Sequence, residues 1–185
     1  MAGERKQQIL ETLAKMLEAP KREKITTAAL AAKLDVSEAA LYRHFANKAQ
    51  MFEGLIVFIE ETIFGLINKI SSEETEGLRQ IQRIVTMLLV FSEKNPGMTR
   101  VLIGDALVNE DEKLQLRINQ LYDRIEVTLK QSLRIAEMQT GHKTDAEAQA
   151  NLMICYIIGR WNQYAKSGFK RKPTEFNEQQ LPIML

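Results

Sequence analysis

The chain is 185 residues long with a net charge of +1, ordinary apolar and charged fractions, and room for one large domain or a small head on a larger body. A single cysteine, Cys155, excludes an internal disulfide. No basic start leads into an apolar segment, and the longest apolar run, residues 152–158, falls far short of the roughly 18 residues of a membrane span.

These features predict a cytoplasmic protein with no membrane partner. The charge is uneven: residues 1–50 hold nine Lys and Arg against six Asp and Glu, and residues 51–185 hold sixteen against eighteen. A weakly positive front is what a nucleic-acid-binding head would show.

Apolar residues recur at spacings of three and four, with no strand alternation and no internal repeat, which predicts an all-α protein. Ile9, Leu10, Leu13, Met16 and Leu17 form the stripe of a first helix, stopped at Ala19-Pro20 and followed by a charged linker at 21–24. Thr27 is the expected N-cap of a second helix that turns Leu30, Ala31 and Leu34 inward. Asp35 falls at a tight turn, and Asp tolerates left-handed backbone better than most residues.

Ser37 caps a third helix, and Glu38 suits its dipole. Val36, Ala40, Leu41 and Phe45 can face the first two helices, which leaves Glu38, Ala39, Tyr42 and Arg43 pointing out. Asn47 and Gln50 form a capping box at the start of a fourth, longer helix. Two short helices at a tight turn, followed at once by a long one, is the helix-turn-helix arrangement that puts a helix into the DNA major groove.

The fourth helix carries Phe52, Leu55, Ile56, Ile59, Ile63, Leu66, Ile67 and Ile70 on one stripe. A fifth carries Leu78, Ile81, Ile84, Val85, Leu88, Leu89 and Phe91 and stops at Asn95-Pro96-Gly97. Residues 98–108 read as a short sixth helix. Asp111 opens a seventh, with Leu114, Ile118, Leu121, Ile125 and Leu129 inward, and Gly141 ends it.

Asp145 opens an eighth, whose middle, LMICYIIG, is apolar almost all round. Such a helix needs cover on both sides, from its own core and from a second subunit. A short helix after Pro173 completes the series.

The outward face of the third helix is the first candidate site. Ala39 allows close approach to DNA, and Tyr42 and Arg43 can bond phosphates or base edges, although the same residues also suit a plain solvated face. Lys48 opens the fourth helix, where the dipole disfavours a cation; a phosphate docked on the free amides would reverse that. Thr27 offers a second hydroxyl-and-amide site of the same kind, unless it is only a cap.

A metal at His44 would need partners, and His142 and Cys155 sit on other elements, so phosphate or backbone bonding fits better. Cys155 reads as a buried, inert thiol. Glu60/Glu61, Glu73/Glu74 and the run Lys170-Arg171-Lys172 read as solvated surface. No nucleophile elbow, phosphate loop or zinc spacing appears, so neither an enzyme nor a cofactor is expected.

The stretch ITTAALAAKLDVSEAALYRHFANK resembles the front of the TetR family of bacterial DNA-binding regulators, with its Tyr-x-His-Phe-x-x-Lys join intact. The resemblance implies an Ω-shaped homodimer. A helix-turn-helix head at 1–48 would sit on a helical body at 49–185, dimerised through its last two long helices. The seam would then be Ile154, Ile157, Ile158 and Trp161.

ITTAALAA, VSEAALYRHF, MFEGLIVFIEE, NPGMTRVL, LQLRINQLYDRIE and FKRKPTEF further resemble the nucleoid occlusion branch of that family. Its members bind palindromic double-stranded sites across the chromosome and antagonise polymerisation of the tubulin-like division protein FtsZ. Carried over by position, the DNA contacts would be Thr27, Ser37, Glu38, Ala39, Tyr42, His44 and Lys48, beside Arg43 from the pattern itself. The FtsZ surface would include Phe58, Met87, Lys94 and Asn95.

GERKQQIL lacks an arginine pair expected before the first helix. Leu66 and Val90 stand where the branch has Arg and Gly on the FtsZ face. The alternative is an ordinary TetR-type repressor, whose body encloses a small-molecule effector.

Overall fold

The computed structural model describes residues 2–19 and 25–185, and the linker expected at 21–24 lies outside them, as does the helix stop expected at Pro20. The described residues form α1 (Ala2–Leu17), α2 (Thr27–Lys33), α3 (Glu38–Tyr42), α4 (Lys48–Glu73), α5 (Gly77–Lys94) and α6 (Pro96–Leu102). A 3-10 turn at Asp105–Leu107 leads to α7 (Glu112–Thr140), α8 (Ala146–Lys166) and α9 (Asn177–Met184). The spacing of apolar residues thus builds helices where it predicts them.

Two boundaries differ from expectation. The N-cap of α2 is Thr26, whose side chain accepts from the Ala29 amide, and Thr27 is the first helical residue. The sixth helix stops at Leu102 instead of reaching 108, because Gly104 adopts φ 76° and turns the chain. Pro96 at the first position of α6 lacks only an amide hydrogen that a helix start leaves unpaired.

Head and body share one continuous apolar core. α1 lies on α4 and α6, and Ile9, Leu13, Leu30 and Leu41 join Phe52, Ile56 and Val101 in a single buried cluster. The approach of α1 to α6 is close: a Cβ on Gly97 would sit 1.9 Å from the Ala14 carbonyl oxygen. Only glycine fits there.

In the body, α5 packs against α4, α7 and α8. A Cβ on Gly77 would lie 2.4 Å from both the Ser132 oxygen and the Ala136 nitrogen, so α5 begins on the backbone of α7. The Gln139 side chain accepts from the Gly77 amide at 2.9 Å and donates to the Thr75 carbonyl at 2.8 Å, which latches the α4–α5 join to α7. Glu60, expected to be solvated, takes a two-pronged contact from Arg117 at 3.1 and 2.8 Å across α4 and α7. Lys172 pairs with Glu93 at 3.2 Å, while Lys170 and Arg171 stay exposed.

The expected seam residues are corrected here. Ile154, Ile157 and Trp161 are 3%, 0% and 0% exposed within the single chain, and the Trp161 Nε1–H donates to the Leu88 carbonyl at 3.2 Å. α5, α6 and α7 already cover that face, so these side chains have no surface left for a second subunit. Ile158 is half-buried, and Cys155, expected to be buried, is exposed on the opposite side of α8 with Leu152 and Gly159.

Candidate nucleic-acid interface

The head positions α3 through three local devices. Asp35 takes φ 54°, and the Val36 amide then donates back to the Ala31 carbonyl at 3.0 Å, closing the turn. Ser37 Oγ accepts from the Ala40 amide at 3.2 Å and caps α3. Leu41, 1% exposed, anchors the inner face of this five-residue helix, and Phe45, 8% exposed, anchors the chain just past its end.

Those anchors fix what faces outward. Ser37, Glu38, Ala39, Tyr42 and Arg43 are exposed, and His44 is half-buried. Tyr42 is 45% exposed, a large aromatic left in solvent beside a small residue and a cation.

The polar side chains are ordered before any ligand arrives. Thr27 Oγ1 donates to Glu38 Oε2 at 2.6 Å, and the Tyr42 hydroxyl donates to Thr27 Oγ1 at 3.3 Å. Thr27 therefore joins α2 to the outward face of α3, a different task from capping. A carboxylate can accept from cytosine N4, a guanidinium can read guanine, and hydroxyls suit phosphate or base edges.

At the start of α4, Asn47 Oδ1 accepts from the Gln50 amide at 2.9 Å. The Gln50 side chain closes the box one residue early, on the Ala46 amide at 2.9 Å. Lys48 occupies the first helical position, but its ammonium is not free. It pairs with Glu110 Oε1 at 2.5 Å, with the two side chains 21% and 12% exposed. Nothing in the spacing of the sequence brings Glu110 to this place; no motif marks it.

The residues expected on a partner surface divide between two hollows. Met87 lines a groove of about 550 Å³ between α4 and α5 with Leu66, Ile70 and Val90, edged by Lys69, Glu73 and Arg83. Phe58, 41% exposed, lines a separate hollow of about 300 Å³ with Leu10, Val57 and Met98. Lys94 is exposed at the end of α5, and Asn95 is half-buried with its amide donating to the Phe91 carbonyl at 2.7 Å.

The chain matches the family model of bacterial regulatory proteins, tetR family, over residues 9–55. It matches the SlmA-like form of the tetracyclin repressor-like C-terminal domain over residues 75–185. The chain belongs to the TetR family.

Within that family it is similar to proteins of the SlmA type. It is 55% identical to the nucleoid occlusion factor SlmA of Alteromonas mediterranea over 178 residues, 95% of this chain and 91% of that one. It is 51% identical to that of Shewanella pealeana over 95% and 90%.

Among solved structures, the TetR family regulator PfmR of Thermus thermophilus superposes with a TM-score of 0.78 at 21% identity, covering 96% of each chain. FadR of Bacillus subtilis, solved with stearoyl-CoA, gives 0.76 at 13%, again over 96% of each chain. The fold is thus the TetR fold, and the family is one of DNA-binding regulators rather than enzymes.

Proposed function

We propose that this protein is a nucleoid occlusion factor: a homodimer that binds palindromic chromosomal sites and, on DNA, inhibits assembly of FtsZ. Two α3 helices enter successive major grooves about 34 Å apart. Ser37, Glu38, Ala39, Tyr42 and Arg43 meet the duplex directly, with Thr27, His44 and Lys48 at the edge of the contact.

The subunits meet on the solvent side of α7 and α8, through Val127, Leu152, Cys155, Ile158 and Gly159. This replaces Ile154, Ile157 and Trp161. DNA as partner puts the protein with the chromosome.

The observation that carries this reading over an effector-controlled repressor is the state of the body. Ile59, Ile63, Ile84, Leu88, Leu121, Ile125, Ile157 and Trp161 have no accessible surface. A ligand-sized hollow beside them would have given them some, and effector pockets are commonly about 300–1,000 Å³. A body whose helical centre is closed in this way works from its outside, and the α4–α5 groove with Met87 and the hollow with Phe58 are the apolar surfaces it offers.

Phe58→Asp and Met87→Asp test the partner surface separately. Each should lose FtsZ binding in an equilibrium assay while keeping the wild-type helical spectrum and DNA affinity. Undiminished FtsZ binding in both variants contradicts the surface named here.

A further inference from the structure

Lys48 and Glu110 come from opposite parts of the molecule, the first residue of the long helix below the head and the loop that leads into α7. Their contact is 2.5 Å, and both side chains are largely withdrawn from solvent. Exposed pairs of long side chains contribute little, because ordering two mobile chains offsets a screened attraction. This pair differs on both counts.

Glu110 is held rigidly. Asn109 takes φ 65° just before it, its own amide donates to the Leu107 carbonyl at 3.0 Å, and Asp111 caps α7 just after it. Lys48 lies with its ammonium 5.6 Å from the centre of the Phe52 ring, turned toward the body. Beneath the pair is a cavity of about 280 Å³ whose walls include Arg100 and Asp105, so the contact spans a gap rather than a packed core.

A cation at the first position of a helix is unfavourable unless an anion sits beside it. On free protein that anion is Glu110. On DNA it would be a backbone phosphate, which is the ligand that a helix start and a lysine together attract.

We infer that Glu110 is a positioning residue that sets DNA affinity: its carboxylate holds the Lys48 ammonium in place of a phosphate, so that this pair and the Lys48–phosphate contact exclude one another. The inference rests on the proposed placement of Lys48 beside the duplex. In the wild type Glu110 competes with the phosphate for Lys48 and keeps most of the ammonium, so Lys48 adds little to the salt dependence until Glu110 is removed. The same contact ties the head to the α6–α7 join, and a partner that moves that loop would change the grip on DNA.

Fluorescence anisotropy on a palindromic duplex across a salt series tests this. Glu110→Gln keeps the shape and removes the charge. It should tighten binding several-fold at low salt and steepen the slope of log K against log salt by about 0.9 per subunit, roughly 2 for a dimer. Adding Lys48→Met to Glu110→Gln should restore the wild-type slope.

Glu112→Gln, which removes an exposed acid two residues away, should move the slope much less. If Glu110→Gln folds poorly, Glu110→Ser takes its place in both arms. An unchanged slope in Glu110→Gln, a change that persists without Lys48, or an equal change in Glu112→Gln each overturns the inference. Failure of the wild type to bind any duplex would instead overturn the DNA-binding reading beneath it.

Discussion

α3 and α8 show two ways of using a helix in one chain. α3 has five residues, buries Leu41 and leaves Glu38, Ala39 and Tyr42 in solvent. α8 has twenty-one and buries Met153, Ile154, Ile157, Trp161 and Tyr164 under its neighbours. A helix as short as α3 is not stable alone. It holds because Ser37 caps it, Asp35 sets its entry, α2 packs against it and Leu41 joins the buried core. α8 holds by area. The head can therefore vary its outer face at little cost in stability, whereas a change on the inner face of α8 is felt by the whole body.

The largest effect that would sharpen this contrast is Trp161→Ala. It removes a fully buried ring and the hydrogen bond to Leu88, and should cost about 3–5 kcal/mol in denaturant unfolding. A normal unfolding midpoint with a lost dimer would return Trp161 to a seam between subunits. Gly97→Ala comes next, because the added methyl meets the Ala14 carbonyl; prising α6 from α1 should cost about 1–3 kcal/mol.

Ser37→Ala removes the cap of α3 and should cost about 1 kcal/mol. A loss as large as that of Trp161→Ala would mean the head is no lightly held unit. Arg43→Ala should leave stability within about 0.5 kcal/mol. It should weaken duplex binding by about 1–3 kcal/mol if the guanidinium reads a base.

Smallest is the acid response of Glu93. Burial pushes its carboxyl up, but the hydrogen bonds from Thr174 and Lys172 and the lysine charge outweigh this and hold it below its ordinary value. A group depressed in the folded state stabilises above its unfolded pKa, near about 4.3, and that contribution fades as pH falls through the lower folded value. Glu93→Gln should flatten that part of the melting temperature's pH dependence.

Much of the fold was legible because capping chemistry and apolar spacing are local. Ser37, Asn47, Asp111 and Asp145 each cap the helix they announce. The outward residues of α3 were legible for the same reason, since a five-residue helix anchored by Leu41, with Phe45 buried just past its end, has one way to face. What was not legible depends on three-dimensional neighbours.

Threonine at 26 and at 27 caps equally well on paper, and only the path of the chain chooses Thr26. An apolar helix such as α8 does not declare which side its own core takes, so Trp161 looked like a seam residue and proved to be core. The pairing of Lys48 with Glu110 joins residues 62 apart in sequence and leaves no pattern in either neighbourhood.

The most direct test of the whole account is sedimentation of FtsZ polymer with this protein, with and without a palindromic duplex that it binds. A DNA-dependent loss of polymer from the pellet is the expected result. Full polymer recovery in the presence of saturated protein–DNA complex would contradict it and leave a DNA-binding regulator without a division partner.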